Sequence, residues 1–186
     1  MALEAKGGGG PKSSASHVSH AKAADYFREA IEYVTKSQSA KTVYDALERL
    51  VTKIPVEVIH DNNDFYSHAY AGGGYIHWDP LSALQVTEGG WQSPAVGLIH
   101  EMYHAYQEFV LKDIYPNMPQ KMVSVGAGAG GGSVGVSKEE VATVVFEQNV
   151  CKELGKLGFT NETPRLTYAR VTGTADVTSV TSTGKA

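Results

Sequence analysis

His100-Glu101-Met102-Tyr103-His104 sets two imidazoles one helical turn apart with a carboxylate between them. Residues four apart share a helix face, so both rings can reach one metal ion while the glutamate accepts a proton from a water that the ion activates. The residue types and their spacing point to zinc-assisted hydrolysis. His100 and His104 are then ligands of one Zn2+ ion and Glu101 is the general base.

A catalytic zinc usually takes three protein ligands and keeps one position open. Glu139, Glu140 and Glu147 downstream, with Glu108 and Asp113 nearby, are the candidates for the third. Glu108, a turn beyond His104, lies too far along the axis to close a tetrahedron and reads as a solvated surface charge. Glu140 and Glu147 share one face of a later helix. Glu140 already has structural work available, closing the capping box Ser137-Lys138-Glu139-Glu140 and meeting the helix dipole. Glu147 stands mid-helix among Val144, Val145, Phe146 and Val150, where a buried unpaired carboxylate is costly and a metal ion removes the cost. This favours Glu147 as the ligand and leaves Glu140 as the alternative, hydrogen-bonded to His100 or His104 if it is not on the metal. The oxyanion needs a donor, and the first candidate is Tyr168, which follows the ligand helix. His77 reads as a hydrogen-bonded strand histidine, Trp91 as a cleft wall or loop anchor, and Cys151 as a buried inert thiol.

Positioning two imidazoles requires an anchored helix. Ser93 can cap it, Pro94 suits its first position, and Ala95, Ile99, Met102, Tyr106 and Phe109 form an apolar stripe at helix spacing. Upstream, Ala24, Phe27, Ile31 and Val34, then Val43, Leu47, Leu50 and Val51, recur at helix spacing on either side of Ser37-Gln38-Ser39 and predict a helical hairpin. Pro55 to His60 and Tyr75 to Pro80 read as strands. Tyr75 to Trp78 is the expected sheet edge, a rail on which an extended peptide substrate could add. The Gly-rich stretch Val125 to Val134 lacks the Lys-Ser/Thr pair of a phosphate loop and predicts a flexible loop beside the site. A second helix starts at Ser137 and runs to about Leu154.

The chain has 186 residues, 42% hydrophobic and 19% charged, enough for one good core. Residues 1–16 predict a flexible linker or sequence added for expression, 17–170 the metallopeptidase domain, and 171–186 a strand-forming tail that frays. A formal charge of -4 with no Lys/Arg-rich run argues against nucleic acid as a partner. No apolar run of membrane-spanning length and no signal-peptide pattern is present, so neither a membrane span nor signal-directed export is expected. The single cysteine excludes an intramolecular disulfide.

Over roughly residues 70 to 170 the chain resembles the zinc metallopeptidase domains of bacterial effectors, the NleD-like proteins and the toxin domains at the C-termini of VgrG and Rhs proteins. The resemblance rests on Tyr75-Ile76-His77-Trp78-Asp79-Pro80, Gly89-Gly90-Trp91-Gln92-Ser93-Pro94-Ala95, His100-Glu101-Met102-Tyr103-His104-Ala105, and Glu139-Glu140 with Glu147-Gln148-Asn149. It implies an α+β, zincin-like fold, with a small, mostly antiparallel sheet packed on helices that include the motif helix. It also implies a metal held by two histidines and a downstream glutamate, a protein or peptide substrate, and delivery into a target cell by a contact-dependent secretion system. Fusion to a VgrG-like spike or Rhs-type carrier and a cognate immunity protein belong to the same expectation. Two other readings stay open: an amidase acting on cell-wall peptide, and a non-catalytic effector or adaptor whose metal staples the fold.

Overall fold

The computed structural model describes residues 2–8, 18–87, 89–112, 123–127, 133–159, 162–166, 168–174 and 176–180. In chain order these form β1 (Leu3–Gly7), α1 (His20–Val34), α2 (Gln38–Glu48), β2 (Ile54–Val58), β3 (Phe65–Ser67), β4 (Tyr75–Trp78), β5 (Ser82–Val86) and β6 (Trp91–Gln92). Then come α3 (Pro94–Tyr106), β7 (Val123–Ala127), β8 (Ser133–Val136), α4 (Lys138–Lys156) and β9 (Tyr168–Gly173). A π-helical turn, Gln107–Leu111, extends α3. The class is α+β.

Serine hydroxyls start three helices: Ser19, Ser37 and Ser137 accept from the amides of Lys22, Ala40 and Glu140. The predicted hairpin of α1 and α2 therefore breaks at Ser37, a cap that the following helix needs. In β2 the apolar alternation is expressed as buried Ile54, Val56 and Val58.

The first sheet runs β1-β2-β4-β3. Its β1–β2 and β2–β4 pairs are parallel and only β3–β4 is antiparallel, so the sheet beside α3 is not the mostly antiparallel one expected. The reason is connectivity: a parallel neighbour requires a long crossover, and α1 with α2 supplies one between β1 and β2. The antiparallel pairs lie elsewhere, in β6-β5-β9 and in β7–β8. Nor is β4 the edge. It is enclosed by β2 and β3, and β3 is the end strand on the site's side.

Residues 3–7 are not linker. They pair along β2 from Leu3↔Ile54 to Gly7↔Val58, and the Leu3 side chain is buried against the core. Residues 9–17 lie outside the described residues. In the predicted tail, β9 pairs with β5 and Val177 is buried, its carbonyl accepting from the Ala95 amide at 2.9 Å. Of the Gly-rich stretch, 125–127 and 133–134 are strand, and 128–132 lie outside the described residues. No helix among the described residues is long and apolar enough to cross a membrane.

Helix α3 is the centre of the molecule, packed by α1, α2, α4, β3, β4 and β5. Ala95, Ile99 and Met102 join α1 (Ala30, Val34), α2 (Leu47), β2, β4 and α4 (Val150, Leu154) in one cluster. A helix enclosed on most sides carries its polar residues into the interior as well, where they need partners.

Candidate metal centre

Three contacts set α3 in place. The Trp78 indole donates to the Pro94 carbonyl at 2.9 Å, tying β4 to the first turn. Tyr103 stacks on Phe146 of α4 with ring centroids 4.1 Å apart. Ser93 starts the helix with Pro94 at its first position, yet its hydroxyl does not cap. It donates instead to the buried carboxyl of Glu162 at 2.6 Å, which also accepts from the Ser93 amide at 2.8 Å and from the Tyr33 hydroxyl at 2.8 Å. Burial pushes the Glu162 carboxyl above its ordinary range despite these donors.

So anchored, His100, Glu101 and His104 face a cavity of about 380 Å³. Its walls come from residues 62–66 and His68, from Ser137, Glu139 and Glu140 at the start of α4, from Arg165, and from Ser82, Leu84 and Val171 of the second sheet. The three motif residues are buried and their ligand atoms lie within 4.8 Å of one another, so this group could hold a metal ion. The spacing fits the demand of a tetrahedral ion. Two nitrogens about 2.05 Å from one zinc stand roughly 3.3 Å apart, and the Nε2 atoms of His100 and His104 are 3.3 Å apart.

The carboxylates divide by which edge of each ring they meet. Glu140 faces the Nε2 edges, 3.5 Å from that of His100 and 3.2 Å from that of His104. Glu147, expected as the third ligand, lies on the opposite edge: its Oε2 is 2.8 Å from His100 Nδ1, and Arg165 binds it from behind. Glu139 does the same for His104, hydrogen-bonded to its Nδ1. The structural role that seemed to occupy Glu140 is filled without its carboxylate. Ser137 caps through the Glu140 amide at 3.1 Å, leaving the side chain to turn toward the imidazoles.

Electrostatics follow this layout. Burial alone would lower the His104 pKa, but Glu139 and Glu140 outweigh it and lift it to about 10. Burial likewise opposes a charged His100, and Glu140 and Glu147 raise it. Burial would raise both glutamates, yet the two imidazoles hold Glu140 far below the carboxylate range, while Arg165 and His100 bring Glu147 down to about 2. These carboxylates stabilise positive charge on the two imidazoles.

Other predicted residues settle individually. The Tyr168 side chain and Asp113 lie outside the described residues; the Tyr168 backbone pairs with Val86. His77 donates through Nε2 to the Asp61 carboxylate at 2.9 Å and stacks on Phe65, as a structural strand histidine. Trp91 is not among the residues that line the cavity; it lies in β6, where its carbonyl accepts from the Thr163 amide at 2.9 Å. Cys151 is buried, and burial raises its thiol pKa. Glu108 is not a solvated charge: it accepts from the Tyr66 hydroxyl at 2.7 Å and the Ala69 amide at 3.1 Å, beside His68. Sequence reasoning missed His68, Asp64 and Arg165 as cavity residues. Burial, partly offset by the Asp79 amide and added to by Glu101, raises the Asp64 pKa. No family model, curated protein or solved structure matches the chain.

Proposed function

We propose that the protein is a zinc-dependent metallopeptidase of zincin-like arrangement, with His100, His104 and Glu140 as ligands and Glu101 as general base. The observation that carries this is the 3.3 Å separation of the two Nε2 atoms with the Glu140 carboxylate beside both. Each ring is backed at Nδ1 by a carboxylate, the arrangement that directs the Nε2 lone pair outward. Zinc, when bound, polarises a carbonyl and makes water acidic near neutral pH. Glu101, on the same helix and lining the cavity, would take the proton of the attacking water and pass it to the leaving amine.

A peptide substrate is favoured by the sheet. The end strand β3 puts Phe65 and Tyr66 on the cavity wall, so an extended chain added along it would pass the motif residues. The role of toxic effector, delivered by a contact-dependent system, with a carrier and an immunity partner, rests on the sequence resemblance alone.

The test pairs metal content with turnover on a peptide library and on muropeptides. Wild type should bind about one zinc, Glu101→Gln should keep it and lose about 10²–10⁴-fold in cleavage, and Glu140→Ala should lose most of the zinc. Cleavage of muropeptides but not proteins selects the amidase. Wild type without zinc, or Glu101→Gln as active as wild type, sinks the hydrolytic reading.

A further inference from the structure

Behind Glu147, the carboxylate that backs His100, stand two buried donors to which no role has been assigned. Arg165 donates through Nε to both oxygens of Glu147, each at 3.0 Å, and its Nη2 is 2.9 Å from Oε2. Gln92 donates to the other oxygen at 2.5 Å, although its own Oε1 is buried with no partner among the described residues. Leaving that oxygen unpaired costs stability. The arrangement therefore serves Glu147 rather than Gln92.

An ionised carboxylate can only accept, and a guanidinium can only donate. Arg165 Nη2 is 3.2 Å from His100 Nδ1, so it could donate to a bare Nδ1. That would set the Nδ1 lone pair against Glu147 Oε2 at 2.8 Å, two acceptors face to face. The hydrogen must sit on Nδ1 and point to Glu147. In the neutral ring that a metal requires, the lone pair is then on Nε2, on the side of His104.

We propose that Arg165 is a positioning residue for the metal: by locking Glu147 in place as an anion, it fixes the tautomer and ring orientation of His100. This rests on the metallohydrolase reading. Arg165 reaches His100 from the segment after α4, where Gln148 holds its carbonyl at 2.6 Å. His104 is backed differently, by Glu139 in the first turn of α4 with His68 3.8 Å away.

The experiment measures Zn2+ dissociation constants by competition with a chelating dye, and the visible spectrum of the Co2+ form, in wild type, Arg165→Lys and Arg165→Met. Folding is checked by circular dichroism. Arg165→Met should bind Zn2+ about 10–100-fold more weakly with an altered Co2+ spectrum. Arg165→Lys should recover part of the loss, since it keeps a charge but not the fork. Folded Arg165→Met with wild-type affinity and spectrum overturns the proposal. Should that variant not fold, Arg165→Met/Glu147→Gln removes both buried charges. Its amide can turn a donor toward Nδ1, so weaker binding is expected and wild-type affinity overturns the proposal. Wild type that binds neither ion removes the hydrolytic reading as well, whereas tight wild-type binding with an indifferent Arg165→Met removes only this inference.

Discussion

Glu140 and Glu147 occupy one face of α4 and meet opposite edges of the imidazoles, which in the proposed metallohydrolase separates ligation from support. Their substitutions should separate the same way. Glu147→Ala leaves the Arg165 guanidinium buried without its carboxylate, a loss of about 3–5 kcal/mol, readable by urea denaturation of the metal-free protein. Glu140 is more exposed, at 32% of its side-chain surface, so in the metal-free protein Glu140→Ala should cost less than Glu147→Ala. Zinc stoichiometry should show the reverse order of damage. Full zinc in Glu140→Ala together with none in a folded Glu147→Ala would restore Glu147 as the ligand. His68 escaped notice for a reason of range: its partner Glu108 is 40 residues away, beyond any local spacing rule.

Among the elements, α4 is held to α2 by a clasp as well as by apolar packing. Glu153 accepts from the Ser39 amide at 2.9 Å and from the Ser37 and Ser39 hydroxyls at 2.7 Å each, meeting the N-terminus of α2 with a negative charge. Burial would raise its pKa, but these donors outweigh it and hold it below the ordinary value. A depressed folded pKa stabilises the fold above the unfolded value, and that contribution is lost as pH falls through the folded one. Glu153→Gln should therefore cost roughly 1 kcal/mol near neutral pH. The gap from wild type should close as pH falls through the depressed folded pKa of Glu153. Denaturation curves at several pH values check this, and a gap that widens in acid would contradict it. Because α4 carries the carboxylates and α3 the imidazoles, the same clasp helps set the register of the centre. The Ser137 cap was legible from sequence because capping is local. The use of Ser93 was not, since its acceptor Glu162 is 69 residues on.

At the scale of the molecule, the N-terminal strand completes the sheet on the side away from the cavity-lining β3. Leu3 is 2% exposed, so Leu3→Ala should cost about 2–5 kcal/mol while zinc affinity in the folded fraction stays unchanged. A change of affinity without a change of melting temperature would show that β1 acts on the site rather than on the fold. The strand was unreadable in Met1 to Gly10 because a five-residue parallel strand gains its stability from β2, a partner some 50 residues away, and not from its own composition. The sequence alone determined the motif helix, its apolar stripe, the helical hairpin and two strands, all features carried by periodicities of a few residues. It also determined that two imidazoles share one face of that helix. Tertiary structure decided which carboxylate meets which ring edge. An imidazole presents two nitrogens on different edges, and the edge a glutamate reaches depends on how α4 docks against α3 through Tyr103 and Phe146. It depends equally on Arg165, which returns from a later segment to hold Glu147 behind His100.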